Sequence, residues 1–205
     1  MDTITIRLKG SSPTIMQCDR LVNPFDPLTR QLKSLTSKRK KTDADLEEIS
    51  RIKYAGSLYF DAKIGPYWPG INIDRMIFDA AKLSRRGQDI KRAFMVLDDM
   101  VALQYDGPRT IEGLYGDPAF VDFRSVVIRG QRVMTCRPIF REWEIEFEAA
   151  FDADVLNRED VVAFFATAGQ FVGLSTYRPR FGRFALKAVD GVAWLGTPRF
   201  RDAAE

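Results

Sequence analysis

Arg141-Glu142-Trp143-Glu144-Ile145-Glu146-Phe147-Glu148-Ala149-Ala150 is the stretch that decides the fold. Trp143, Ile145 and Phe147 alternate with four glutamates, and a period of two marks a strand with one face buried and the other wet. The wet face is acidic. Moving outward, Asn157 can cap a helix to Phe171, with Val161, Val162, Phe165 and Ala168 turned inward. Phe181–Val189 then returns as a strand. At the other end of the chain Thr3–Lys9 alternates as strictly, with Ile4, Ile6 and Leu8 on one face and Thr3, Thr5, Arg7 and Lys9 on the other.

Between these ends the signals are shorter. Gly10-Ser11-Ser12-Pro13 stops the first strand. Residues 17–42 read as a loop, because Asn23-Pro24-Phe25-Asp26-Pro27 is turn chemistry and a basic run follows. Thr42 or Asp43 can cap a helix to Ala55, with Leu46, Ile49, Ile52 and Lys53 at helical spacing. Ser57–Asp61 reads as a strand, and Gly65-Pro66 as a turn into Pro69-Gly70. Asn72 reads as the N-cap of a helix to Arg85 whose buried stripe is Ile73, Met76, Ile77, Ala80 and Ala81. Ala93–Leu97 is an apolar strand ending in Asp98-Asp99. Residues 104–122 read as loop, and Ser125–Ile128 with Val133–Thr135 form a hairpin around 129–132.

A β–α–β…β–α–β order predicts the α+β class, as a ferredoxin-like or RRM-like antiparallel sheet with helices on one face and inserted loops. One domain is expected over 1–190, with a basic insertion at 17–42 and a loop at 104–122. Residues 191–205 form a C-terminal tail.

The 205 residues include no histidine and two cysteines, Cys18 and Cys136. Without histidine there is no Ser-His-Asp or Cys-His catalysis and no mixed zinc site, and two thiols cannot make a four-cysteine site. Two thiols in a chain of this size are expected to stay reduced in a cytosolic core. No apolar leader and no run long enough to span a membrane is present, so a cytoplasmic protein is expected.

The net charge is +3, from 31 basic and 28 acidic residues. That near-balance hides segregation. Residues 30–41, 124–141 and 178–187 are basic and acid-free, while 142–160 is dominated by acids. Acid-free basic stripes are the footprint of a polyanion site. The third stripe lies in Phe171-Val172-Gly173-Leu174-Ser175-Thr176-Tyr177-Arg178-Pro179-Arg180-Phe181-Gly182-Arg183-Phe184, where two glycines bracket a loop and three arginines project from the same short stretch, interleaved with rings. Arginine fixes phosphates and rings stack on bases. The same residues also read as a helix C-cap followed by an edge strand with solvated arginines.

The chain resembles the RAMP superfamily, whose members form the backbone and processing subunits of CRISPR effector complexes. Gly10-Ser11-Ser12-Pro13 matches that family's early G-x-x-P-like turn. Trp68-Pro69-Gly70-Ile71-Asn72-Ile73-Asp74-Arg75 matches a helix-opening segment of the type I-P-G-S-S-I-K-G, with Asp74 and Arg75 where the family has Lys-Gly. Val172–Phe184 matches a loop of the type I-G-x-x-R-S-R-G-F-G-R-F, with Pro179 in place of a small residue. The chain is also similar to uncharacterised phage-encoded proteins, in Pro24–Pro27 and Thr36–Thr42.

The resemblance implies an RNA- or ssDNA-binding RRM-like fold. Sheets of that kind stack unpaired bases on aromatics. Processing nucleases of the family often use histidine, absent here, so binding is implied more than cleavage. The expected function is non-catalytic single-stranded nucleic-acid binding, with no cofactor and no metal. Arg178, Arg180 and Arg183 would grip phosphates and Tyr177 and Phe181 would stack. Lys38, Arg39, Lys40 and Lys41 would form a flexible second clamp, and Arg129 and Arg132 would add to it. Gly173, Gly182 and Gly70 would permit close backbone approach.

Two other readings stay open. One is a RAMP-like endoribonuclease, either metal-independent or metal-dependent, in the latter case with Asp98-Asp99 or Asp152 and Asp154 holding magnesium. The other is a phage structural or host-defence-inhibiting interaction protein. The row Glu142–Glu148 reads as a solvated or subunit-facing strip, and acidic and basic surfaces on one chain suit head-to-tail self-association along the strand.

Overall fold

Both ends of the chain supply the main sheet. In chain order the elements are β1 (Asp2–Gly10), β2 (Thr14–Ile15), α1 (Pro27–Thr36), α2 (Asp43–Ser57), β3 (Phe60–Asp61), β4 (Gly65–Pro69), α3 (Gly70–Lys82), α4 (Gly87–Ala93), β5 (Phe94–Val96) and β6 (Met100–Ala102). They continue with α5 (Ile111–Gly116), β7 (Val121–Ile128), β8 (Gln131–Phe140), β9 (Glu144–Phe151), α6 (Arg158–Thr167), β10 (Phe184–Val189) and β11 (Val192–Ala193). This computed structural model describes residues 1–128 and 130–194.

The chain forms two compact units that alternate along the sequence. The first is Met1–Thr14, Tyr67–Tyr105 and Glu142–Glu205, and the second is Ile15–Pro66 and Asp106–Arg141. Both segments that the sequence sets apart as insertions, 17–42 and 104–122, fall mostly or wholly in the second unit.

The sheet of the first unit has the order β11-β10-β1-β9-β5, every neighbouring pair antiparallel. With β11 set aside, the succession β1–α3–β5–β9–α6–β10 lies in the sheet as β10-β1-β9-β5, which is the ferredoxin-like arrangement. Alternation along the strands decides the two faces. Ile4, Ile6, Leu8, Ile145, Phe147, Ala149, Phe184, Leu186, Phe94 and Val96 are all buried. The helices cover that face: Phe165 of α6 meets Phe147 at 5.7 Å and Phe94 at 5.9 Å between ring centroids. The α3 stripe predicted from spacing, Ile73, Met76, Ile77, Ala80 and Ala81, is buried in full.

The open face is charged. β1 and β9 pair in register with Arg7 opposite Glu146 and Lys9 opposite Glu144. Lys187 joins them at an irregularity in the β1–β10 pairing. Glu144 receives Arg7 at 2.9 Å, Lys187 at 2.8 Å and Lys9 at 3.6 Å. Burial alone would push the Glu144 carboxyl up, but hydrogen bonds from Lys187 and Arg7 outweigh it and hold it below the usual glutamate value.

In the second unit β2, β8 and β7 form a sheet in that order, with the β7–β8 hairpin in register from Val121–Pro138 to Ile128–Gln131. Tyr54 of α2 is buried and donates its hydroxyl to the Phe120 carbonyl at 3.1 Å. Cys18 and Cys136 are separate thiols. Burial pushes the Cys136 thiol up to about 12.

Several boundaries differ from the sequence reading. The supposed loop 17–42 contains α1, started by Asp26, whose side chain accepts from the Leu28 N–H with Pro27 in the first turn. Gly65–Pro69 is a strand, because each proline has a neighbour on one side only: Pro66 pairs with Phe60 and Pro69 with Met100. Helix α3 begins at Gly70 rather than after Asn72, since Gly70 N–H finds the Asp99 carbonyl at 3.0 Å. Helix α4 fills 87–92, to which the sequence reading gave no element, and takes in Ala93, expected in a strand; α5 lies inside the supposed loop 104–122. Phe200 and the rest of the expected tail beyond Trp194 lie outside the described residues.

Candidate nucleic-acid interface

The arginine loop is shaped by its two glycines. After α6 the chain widens into a π turn over Ala168–Val172, closed by Gly173 N–H donating to the Ala168 carbonyl at 2.7 Å. Gly173 has φ +81° and Gly182 has φ +77°. A Cβ on Gly182 would overlap the Leu174 carbonyl, which itself belongs to the residue whose N–H donates to Gly182 O at 2.8 Å. Residues between the glycines are thereby pinched into a closed loop that only glycine permits at its neck.

The first turn of the chain clamps that neck. Ser11 and Ser12 N–H donate to Arg183 O at 2.8 and 3.2 Å, and Gly182 N–H donates to Pro13 O at 2.8 Å. Arg183 N–H donates to the Ser12 hydroxyl at 2.9 Å, and the Thr14 hydroxyl donates to Leu174 O at 2.5 Å. From the strand side, Trp143 Nε1–H donates to Ser12 O at 2.9 Å. The turn 10–13 and the loop 172–184 are therefore one structural object. Sequence reading found both pieces but could not join them, because no local spacing reports a contact made across the sheet.

The three loop arginines are not equivalent. Arg180 is exposed and has no ion-pair partner among the described residues. Arg183 is exposed, and its Nε–H donates to Pro179 O at 2.9 Å. Arg178 approaches Asp79 of α3 at 3.5 Å. Asp79 is a partner that the sequence reading did not single out. Tyr177 and Phe181 are half-buried and lie edge to face, 6.4 Å between centroids. Phe184, beneath the loop, meets Trp143 in the same manner at 6.3 Å.

Gly70 sits at the start of α3, where a Cβ would press on the Asp98 carbonyl oxygen. Its role is close packing of helix start against β5–β6, in the same unit as the loop.

The other predicted basic residues belong to the second unit. Lys38, Arg39, Lys40 and Lys41 link α1 to α2. The link is held at both ends: Lys38 pairs with Asp45 at 2.6 Å, and Lys41 Nζ donates to Lys38 O at 2.9 Å. The Lys38 ammonium and the Thr42 backbone hold the Asp45 carboxyl at about 2. Arg39 and Lys40 are exposed. Arg132 is exposed on β8, one residue past the hairpin turn; Arg129 lies outside the described residues. In the same segment Arg124 is paired with Asp122 at 2.8 Å. Part of the charge segregation in sequence is thus cancelled by acids brought in by the fold.

The open sheet face departs from what the RRM-like resemblance implies. β1, β5, β9 and β10 present Thr3, Thr5, Arg7, Lys9, Met95, Glu144, Glu146, Glu148, Ala185 and Lys187 there, with no ring among them. Bases cannot stack on those four strands. The candidate magnesium acids are used in local structure: Asp98 accepts from Glu148 N–H at 2.9 Å and Asp152 from Asp154 N–H at 3.1 Å. No group of three or more acids or thiols among the described residues is arranged to hold a metal ion. No helix among them is long and apolar enough to cross a membrane.

No family model matches the sequence, and no curated protein matches it. Among solved structures the chain is similar to one in the cryo-EM structure of the Type III-B Cmr-beta complex bound to cognate target RNA, at 9% identity and a TM-score of 0.47. The match covers 93% of this chain and 60% of that one, so this chain spans somewhat over half the length of the protein it matches.

Proposed function

We propose that this protein binds single-stranded nucleic acid, RNA or DNA, through the arginine loop, and does so without cleaving it. One observation carries the reading: the loop necked at Gly173 and Gly182 is locked by the Gly10–Pro13 turn, with Arg180 on it and Arg183 just past its neck, both exposed and unneutralised beside the Tyr177–Phe181 ring pair. A rigid loop that holds cations at fixed spacing loses little freedom on binding, and charge-assisted contacts to phosphate are the strong ones. Rings at the same place offer π-faces to unpaired bases, which a duplex does not expose.

Arg180 and Arg183 take phosphates first, and Arg178 follows once its hold on Asp79 is exchanged for phosphate. The exposed rims of Tyr177 and Phe181 receive a base. Lys38, Arg39, Lys40, Lys41 and Arg132 add a further basic surface on the second unit. Copies assemble head to tail along the strand, using Glu142 and Glu148 of the 142–148 row, whereas Glu144 and Glu146 are paired with cations of the sheet.

The experiment is titration of labelled single-stranded and duplex oligonucleotides at several salt concentrations, by fluorescence anisotropy. Binding of single strands in preference to duplex, weakening steeply with salt, is expected. Absence of affinity for either strand type at low salt refutes the reading. Release of shorter fragments in magnesium refutes the non-catalytic part alone. Sedimentation that stays monomeric at high concentration with and without oligonucleotide refutes the assembly.

A further inference from the structure

The arginine loop has a charged neighbour that the reading above leaves unused. On α3, the Asp79 carboxylate is shared by Arg75 at 3.1 Å, Lys82 at 3.7 Å and the loop's Arg178 at 3.5 Å. Arg75 and Lys82 also lie over the Phe78 ring, at 5.6 and 5.4 Å from its centroid. Positions 75, 78, 79 and 82 follow one another at helical spacing, so they share one face of α3. The stripe Ile73, Met76, Ile77, Ala80 faces the core instead.

Three cations on one carboxylate leave the patch cationic. The side chains of Arg75 and Lys82 are 64% and 56% exposed, while that of Asp79 is 20% exposed. The carboxylate lies beneath and the positive groups stand outward. Ion pairs to Asp79 and contacts with the ring hold two long side chains in place, so less freedom remains to be lost when a ligand arrives. Asp79 also links the patch to the loop through Arg178, which makes the two basic surfaces continuous.

We infer that this face of α3, Arg75 and Lys82 ordered by Phe78 and Asp79, is a second phosphate-contacting patch for the same single strand that the arginine loop grips. This rests on the function proposed above. The occupant is the sugar-phosphate backbone: the patch offers cations at fixed positions, its ring is already covered by them, and it runs on from a loop whose own rings suit bases. Sequence reading met Arg75 only as a departure from a family motif and gave Phe78, Asp79 and Lys82 no role, because they look like an ordinary mixed-charge helix face.

The test compares three charge-matched double variants in salt titrations of a labelled single-stranded RNA and a labelled single-stranded DNA. Arg75→Gln with Lys82→Gln removes the patch. Lys9→Gln with Lys187→Gln removes the same charge from the open sheet face, away from the helices. Arg180→Ala with Arg183→Ala removes the loop contacts. The patch variant is expected to lower the slope of log affinity against log salt by about 1.4, two contacts at about 0.7 each on a single strand. The sheet-face variant is expected to leave that slope unchanged. An unchanged slope in the patch variant, or an equal fall in the sheet-face variant, overturns the inference. If the loop variant lowers the slope and the patch variant does not, only the inference fails. If the wild type binds neither oligonucleotide, the proposed function fails with it. Melting curves of all three variants establish that each is folded.

Discussion

Replacing Arg180 and Arg183 together by alanine is the sharpest perturbation of the loop. The substitution spares its architecture. Arg180 has no ion-pair partner among the described residues, and Arg183 meets the first turn through its main-chain N–H and C=O, which alanine keeps. Only the Arg183 Nε–H bond to Pro179 O is lost, and both ends of that bond lie at the exposed rim. The binding loss can be estimated in two ways. A hydrogen bond to a charged group is worth about 1.5–3 kcal/mol, so two such contacts amount to at least ~3 kcal/mol, more than a hundredfold at low salt. Each phosphate contact on a single strand also contributes about 0.7 to the salt slope, so losing two lowers it by about 1.4. Between 50 and 200 mM salt the wild type should therefore weaken about sevenfold more than the variant. Anisotropy of a labelled single strand at three salt concentrations reads both numbers. A folded variant with wild-type affinity and slope shows that these arginines do not touch the strand. Arg178→Ala should cost less than either partner, because its guanidinium must leave Asp79 before it serves a phosphate.

Three further outcomes follow from local geometry. Gly182→Ala places a Cβ on the Leu174 carbonyl at a positive φ, and should destabilise by at least ~2 kcal/mol, lowering Tm by about 4–8 °C; an unchanged Tm refutes the locked-neck account. Thr42→Ala removes the reciprocal cap with Asp45 at the start of α2 and should cost ~1 kcal/mol, read as a fall in Tm with oligonucleotide affinity retained; a Tm within error of the wild type's refutes it. Because Lys187 and Arg7 lower the folded value of Glu144, its stabilisation is present above the ordinary glutamate value and is lost as pH falls through the lowered one. The wild type should therefore lose more stability than Glu144→Gln between neutral pH and about pH 3, as read by melting temperature across that range; parallel pH profiles refute it.

The legible parts of this chain are those where one face of an element is buried and the other wet. β1, β9 and α3 announce themselves because Ile6, Ile145 or Met76 could not be polar without a buried penalty, while Thr5, Glu146 and Arg75 on the wet faces carry no such penalty. Helix α1 is harder to read for a different reason: Leu28, Leu32 and Leu35 repeat at helical spacing but are only half-buried, and this short stripe is masked by the turn chemistry of Asn23–Pro27 and the basic run that follows. Strand β4 was hidden by its own prolines, which are acceptable only because of how its neighbours divide it. The loop glycines were legible through conformational need. Ser12, Trp143 and Asp79 were not, since each acts through a contact made only after distant segments meet.

The order in which β1 finds its neighbours has a consequence for how the protein is made. Of the strands of the main sheet β1 leaves the ribosome first, yet both strands that flank it, β9 and β10, follow more than 130 residues later. All residues of the second unit precede β9. A nascent chain that has reached Arg141 can thus have that unit complete while Ile4, Ile6 and Leu8 still wait for partners. Long-range pairing of this kind is slow and leaves an apolar strand open to wrong partners in the interval. The arginine loop, clamped by the turn that follows β1, can form only after residues 172–184 have been made, so the loop and the main sheet are completed together.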